Sequence, residues 1–190
     1  MSERLFFALW PEDAERSALA RLQGSLGLQG ARPTHPADLH LTLVFLGDLP
    51  PERRACCEAA ADLVQAAPFA IPLSRLGLWP RPRILWCGPA VTPPELLTLA
   101  DGLAEALVPC GVPREARPYA AHITLARQAR AEIEPLREWS LTWPVTGFVL
   151  AASRPGPPPR YRVLRHWAPG SRQSPGPGRS KTAGEGEVHR

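Results

Sequence analysis

The chain predicts an α+β fold, on three observations. Short aromatic and aliphatic runs alternate with a few helical segments, several strand-to-strand links are of hairpin length, and one strand motif occurs twice. A mixed order with hairpin links argues against a doubly wound parallel sheet. The repeated motif is His40-Leu41-Thr42-Leu43 and His122-Ile123-Thr124-Leu125, each copy placed after a helix-containing unit. An approximate duplication into two lobes follows.

In chain order, Arg4 to Trp10 reads as a buried strand. Pro11, Glu12 and Asp13 start a helix with acids in the first turn, and Leu19, Leu22 and Leu26 give it an apolar stripe before Gly27. Leu39 to Leu46 is the first motif strand, broken by Gly47-Asp48-Leu49-Pro50-Pro51. Glu52 to Ala67 predicts a second helix, and Phe69 to Leu78 and Ile84 to Gly88 two further strands. The turn between those strands, Trp79-Pro80-Arg81-Pro82-Arg83, holds two arginines and a tryptophan near one edge. From Pro94 to about Pro109, Leu96, Leu99, Leu103 and Leu107 form a helical stripe. His122 to Ala126, Val145 to Ala152 and Tyr161 to Trp167 complete the order β-α-β-α-β-β-α-β-β-β. Residues 1–168 are expected to form one domain, and 169–190, almost without apolar residues, a disordered tail.

No apolar run approaches the roughly 20 residues that cross a bilayer, and Met1-Ser2-Glu3-Arg4 lacks the start of a signal peptide, so a cytoplasmic protein is expected. The cysteines at 56, 57, 87 and 110 show neither zinc-site spacing nor the density of a secreted scaffold, and all four are expected as reduced thiols. Net charge is +4, half of it in the tail, so global charge says little about partners. Of the 22 basic residues 21 are arginine, which grips phosphate bidentately but which GC-rich coding also favours.

The chemistry lies in the repeat. A His-x-Thr-Leu string is expected about 0.03 times by chance in a chain of this composition, and a near copy follows it. On a strand, side chains alternate between faces, so each motif offers an imidazole and a hydroxyl on one face and two aliphatic anchors on the other. Two imidazoles of ordinary pKa near 6.5 can hold opposite protonation states, one as base on water and one as acid to a leaving oxygen, which suits displacement at phosphorus. Thr42 and Thr124 can donate to non-bridging phosphate oxygens. A zinc site would need further ligands on the motif face, and none is there, so no metal is expected. Gly-x-Ser-x-Gly and Walker loops are absent. Strict alternation puts Arg127 on the face opposite His122, so a phosphate-binding Arg127 requires the strand to end or twist. Tyr119 is a candidate stacking surface for a base.

Taken together these residues resemble the 2H phosphoesterase superfamily, in its branch of bacterial and archaeal RNA 2′,3′-cyclic phosphodiesterases, formerly called 2′-5′ RNA ligases. The stretches that carry the resemblance are RLFFALWP at the start, LHLTLVFLGDLP around His40, LGLWPRPRILWCGP from Leu76 and RPYAAHITLAR around His122. The resemblance implies a bilobal α+β fold, two pseudo-repeated lobes of antiparallel sheet with helices outside and the active-site cleft between them. It implies hydrolysis of a 2′,3′-cyclic phosphate on RNA ends to a 2′-phosphomonoester by a monomer, without cofactor, metal, membrane or protein partner. His40 and His122 become the catalytic pair, with Thr42, Thr124 and Arg127 on the phosphate. His40 is assigned as acid and His122 as base, although the motifs do not distinguish this from the reverse. The chain departs from the family at Ala121, where proline is usual, at Pro33, where a bulky residue is usual, and at Ala151-Ala152-Ser153, which often carries Glu-Ser. An RNA-end-binding protein without turnover is the alternative from another class.

Overall fold

A computed structural model describes residues 4–28, 30–65, 67–129 and 139–168. The expected tail lies outside the described residues. The strands are β1 (Arg4–Leu9), β2 (Arg32–Pro33), β3 (Leu41–Asp48), β4 (Phe69–Trp79), β5 (Ile84–Pro89), β6 (Ile123–Arg127), β7 (Leu141–Val145), β8 (Phe148–Ser153) and β9 (Tyr161–Trp167). The helices are α1 (Asp13–Ser25), α2 (Pro51–Ala61) and α3 (Pro94–Leu107).

The α+β class is the one observed. The described strands form one sheet in the order β7-β4-β5-β6-β3-β1-β8-β9, with β2 paired to β6, and every pairing is antiparallel. The two expected lobes are thus halves of one curled sheet. Each half builds outward from a motif strand, β3-β1-β8-β9 on one side and β6-β5-β4-β7 on the other. The units β1-α1-β3 and β5-α3-β6 repeat the same strand-helix-strand order, which is the duplication foreshadowed by the motifs.

Burial explains which face the helices take. On α3, Leu96, Leu99, Leu103 and Leu107 are all buried, as their spacing requires, and they join Leu41, Leu43, Ile123 and Leu125 in one core. Leu19 and Leu22 bring α1 to the same face. The opposite face of the first half carries a smaller cluster of Phe6, Ala8, Val149 and Ala151, with Trp10 and Tyr161 against it. That face is left free of helices.

Three expectations need correction. The helix expected to run to Ala67 ends at Ala61. The strand expected from Val145 begins at Phe148, while Val145 closes an additional strand, β7, that starts at Leu141; Thr146 and Gly147, the latter at φ 158°, separate the two. Cys56 is not a free thiol: it is bonded to Cys110, just after α3, with the Cα atoms 5.7 Å apart. Successive helix residues point in different directions, so Cys57 enters the core while Cys56 faces the chain 54 residues on. Linear spacing does not reveal that pairing. Cys57 and Cys87 are free and buried.

Two stability outcomes are expected. Closing a loop across 54 residues is worth about 4 kcal/mol in the chain-entropy treatment, so Cys56→Ser should lower denaturant stability by up to that amount in oxidised protein and by little under reductant. Ile123→Ala, at a site of 0% exposure, should cost about 2–5 kcal/mol in the same measurement.

Candidate active site

The site is built where β3 meets β6. Their one recorded pair is Leu41 opposite Ile123, both fully buried on the helix side. Continuing this antiparallel register by one residue sets Thr42 level with His122 and His40 level with Thr124. All four side chains are half-buried on the free face, while Leu43 and Leu125 are buried on the other. The histidines are therefore diagonal neighbours, about 7–8 Å apart along the backbone lattice. A phosphate fits between two imidazoles at that spacing.

Both rings are held the same way. His40 Nδ1 lies 2.7 Å from the Asp38 carbonyl, and His122 Nδ1 lies 2.7 Å from the Ala120 carbonyl. A carbonyl only accepts, so each Nδ1 is the protonated nitrogen of the neutral ring, and each Nε2 is left for chemistry. Aromatic rings enclose His40: Trp10 is stacked on it at 5.3 Å, Phe6 is tilted at 4.9 Å, and Tyr161 meets it edge-on at 4.9 Å. Trp79 meets His122 edge-on at 4.5 Å.

These surroundings oppose positive charge. Burial pushes His40 down to about 4, and the charges of His122 and Arg127 add to it against the partial support of the Asp38 carbonyl and carboxylate. Burial also lowers His122, again with Arg127 adding to the effect and the Ala120 carbonyl opposing it. Each imidazole thus feels Arg127, and His40 feels His122.

Arg127 reaches this face through a bulge. Against β5, Thr124 pairs with Trp86 and Ala126 with Leu85, which leaves Leu125 as an extra residue. Leu125 and Ala126 are consecutive and both 0% exposed, so the alternation is reset and Arg127 returns to the side of His122 and Thr124. The twist that the sequence demanded of Arg127 is this bulge. β3 has its counterpart: Ala8 pairs with Thr42 and Phe7 with Val44, leaving Leu43 extra, and Phe45 then takes the place corresponding to Arg127.

Two clasps hold the motifs. The Tyr119 hydroxyl donates to the Thr42 carbonyl at 2.9 Å, tying the approach to His122 onto β3, and burial raises its pKa. The Tyr119 ring is partly buried against the helix-side core. Asp38, a buried carboxylate, accepts from Arg160 N at 2.9 Å and Tyr161 N at 3.0 Å, which sets the Tyr161 ring against His40. The motif spacing points to none of Asp38, Phe6, Trp10 and Tyr161. The period-two placement of Phe6, Ala8 and Trp10 was the available signal for two of them. Among the described residues, no group of three or more His, Cys, Asp or Glu is gathered as a metal site would need. A cavity of about 630 Å³ between the start of α1 and the β7–β8 turn touches this site only at Trp10.

The chain as a whole is similar to known proteins. A family described as LigT-like phosphoesterase matches residues 9–86, a span that takes in the first motif. The RNA 2′,3′-cyclic phosphodiesterase of Escherichia coli (strain K12) is 31% identical over 169 residues, 87% of this chain and 96% of that protein. The enzyme of the same name from Thermus thermophilus is 36% identical over 195 residues, 92% of this chain and 96% of its own. Among solved structures, E. coli LigT complexed with 3′-AMP superposes with a TM-score of 0.79 at 31% identity, covering 90% of this chain and 99% of that one.

Removing the cation tests the electrostatics directly. In Arg127→Ala the imidazolium forms of His40 and His122 lose a repulsive neighbour, so both should titrate at higher pH than in the wild type, where His40 titrates at about 4. NMR titration of the imidazole resonances reads both shifts.

Proposed function

The chain belongs to the LigT-like phosphoesterases, the family of the RNA 2′,3′-cyclic phosphodiesterases it matches, and from that premise we propose that it hydrolyses 2′,3′-cyclic phosphate ends of RNA to 2′-phosphomonoesters by two-histidine acid–base catalysis. The observation that carries the proposal is the register at Leu41 and Ile123, which brings both His-x-Thr motifs to one face of neighbouring strands.

In this reading the cyclic phosphate sits between His40 and His122. Thr42 and Thr124 donate to its non-bridging oxygens, and Arg127 offsets the charge that builds up on them in the transition state. His122 Nε2 takes a proton from the attacking water while protonated His40 Nε2 delivers one to the departing 3′ oxygen, so the P–O bond to the 3′ oxygen breaks and the phosphate stays on the 2′ oxygen. The same displacement with a 5′-hydroxyl in place of water, again with the 3′ oxygen leaving, would join 2′-5′ ends. The same reading has the protein work as a cytoplasmic monomer without cofactor.

Burial keeps both rings neutral in the free protein near pH 7. The acid must therefore gain its proton with the substrate, whose negative charge offsets the cost of an imidazolium among Phe6, Trp10 and Tyr161. The base must stay neutral, above its own pKa, and the acid protonated, below its own. Because both values lie under 6.5, kcat/KM should follow a bell whose maximum is on the acid side of pH 6.5. A flat profile from pH 5 to about 9 would contradict paired acid–base catalysis.

The decisive assay follows 2′,3′-cyclic nucleotide hydrolysis in EDTA. Wild type should turn over, and His40→Ala and His122→Ala should each lose about 10²–10⁴-fold in kcat. Full activity in either variant would overturn two-histidine catalysis, and tight binding of the cyclic end by wild type with no product would replace this reading with that of a binding protein.

A further inference from the structure

The inference here rests on the phosphodiesterase reading and concerns how much of the RNA the protein holds. β2 is two residues long and pairs with the end of β6, Arg32 directly opposite Arg127 and Pro33 opposite Ala126. Its register is locked from the helix side. Thr34 N donates to the Leu125 carbonyl at 2.8 Å, and the buried Gln23 amide of α1 donates to the Thr34 and Leu125 carbonyls at 2.9 and 2.7 Å.

Directly paired residues of antiparallel strands share a face, so Arg32 stands on the cleft side with Arg127. Like charges at such positions repel and destabilise the pair. Arg16, Arg54, Arg114, Arg117 and Arg165 each have a carboxylate within 3.4 Å. Among the described residues, neither Arg32 nor Arg127 has a carboxylate partner, and both are exposed. Two facing guanidinium groups without an acid are offset by an anion lying between them.

That anion is not the reacting phosphate alone. The Arg32–Arg127 row lies four residues along β6 from the Leu41–Ile123 row, about 13 Å at 3.3 Å per residue and somewhat less with the bulge. Arg127 nonetheless bears on both imidazoles, whereas Arg32 is not among the charges that do, so Arg127 spans toward the phosphate between the histidines while Arg32, rooted on the neighbouring strand, is left to the next phosphodiester of the same RNA strand. We propose that Arg32, acting with Arg127, binds the internucleotide phosphate adjacent to the cyclic end, so that the preferred substrate is an oligonucleotide terminus rather than a free cyclic mononucleotide.

The test compares wild type, Arg32→Ala and Arg32→Lys on a 2′,3′-cyclic mononucleotide and on a short oligonucleotide with the same cyclic end, at several salt concentrations. In Arg32→Ala the ratio of kcat/KM for oligonucleotide over mononucleotide should fall about tenfold, through KM, with Arg32→Lys recovering part of it. The salt slope on the oligonucleotide should become shallower by about 0.7. An unchanged ratio, or an equal loss on both substrates, overturns the assignment. Should wild type turn over neither substrate, the phosphodiesterase reading fails by itself. Anisotropy titration of the labelled oligonucleotide then decides Arg32 independently: a weaker affinity and shallower salt slope in Arg32→Ala support it, and their absence overturns it.

Discussion

The site depends on the pairing of Leu41 with Ile123. A strand slipped by one residue turns every side chain to the other face, and here such a slip of either motif strand would bury its histidine and its threonine in a leucine-rich core. With Leu41, Leu43, Ile123 and Leu125 all taken up by the helix-side core, the opposite face of both motifs is left to the imidazoles and hydroxyls. The join is short, since β3 and β6 share only that recorded pair. Its register is supported by polar clasps around it: Tyr119 onto Thr42, Gln23 and Thr34 onto Leu125, and Asp38 onto the start of β9.

The same packing sets the electrostatics. Burial of His40 is the main cause that pushes it down to about 4, with His122 and with Arg127, brought round by the bulge at Leu125, adding to the effect and Asp38 opposing it. In the proposed mechanism an anion between the rings would offset both effects.

Much of this was legible in the chain. The His-Thr face, the Leu anchors and the α3 stripe follow from periodicity, because each is a property of one element. The face of Arg127 did not follow, since a bulge is a property of two strands: Leu125 becomes extra only against Leu85 and Trp86. Cys56 with Cys110, Asp38 with Tyr161 and Arg32 with Arg127 are likewise pairings between distant segments. β2 is too short for any pattern, and β7, five residues with Pro144 inside it, carries a weak strand signal and was not expected apart from Val145.

The central claim is that one phosphate is flanked by both histidines. Titrating a nucleoside 2′-monophosphate into the protein while following the His40 and His122 imidazole resonances tests it most directly. A single one-to-one transition that shifts both rings with the same Kd, and raises the pKa of at least one, is the predicted result. Movement of one ring only, or separate affinities at the two rings, would contradict a shared phosphate site.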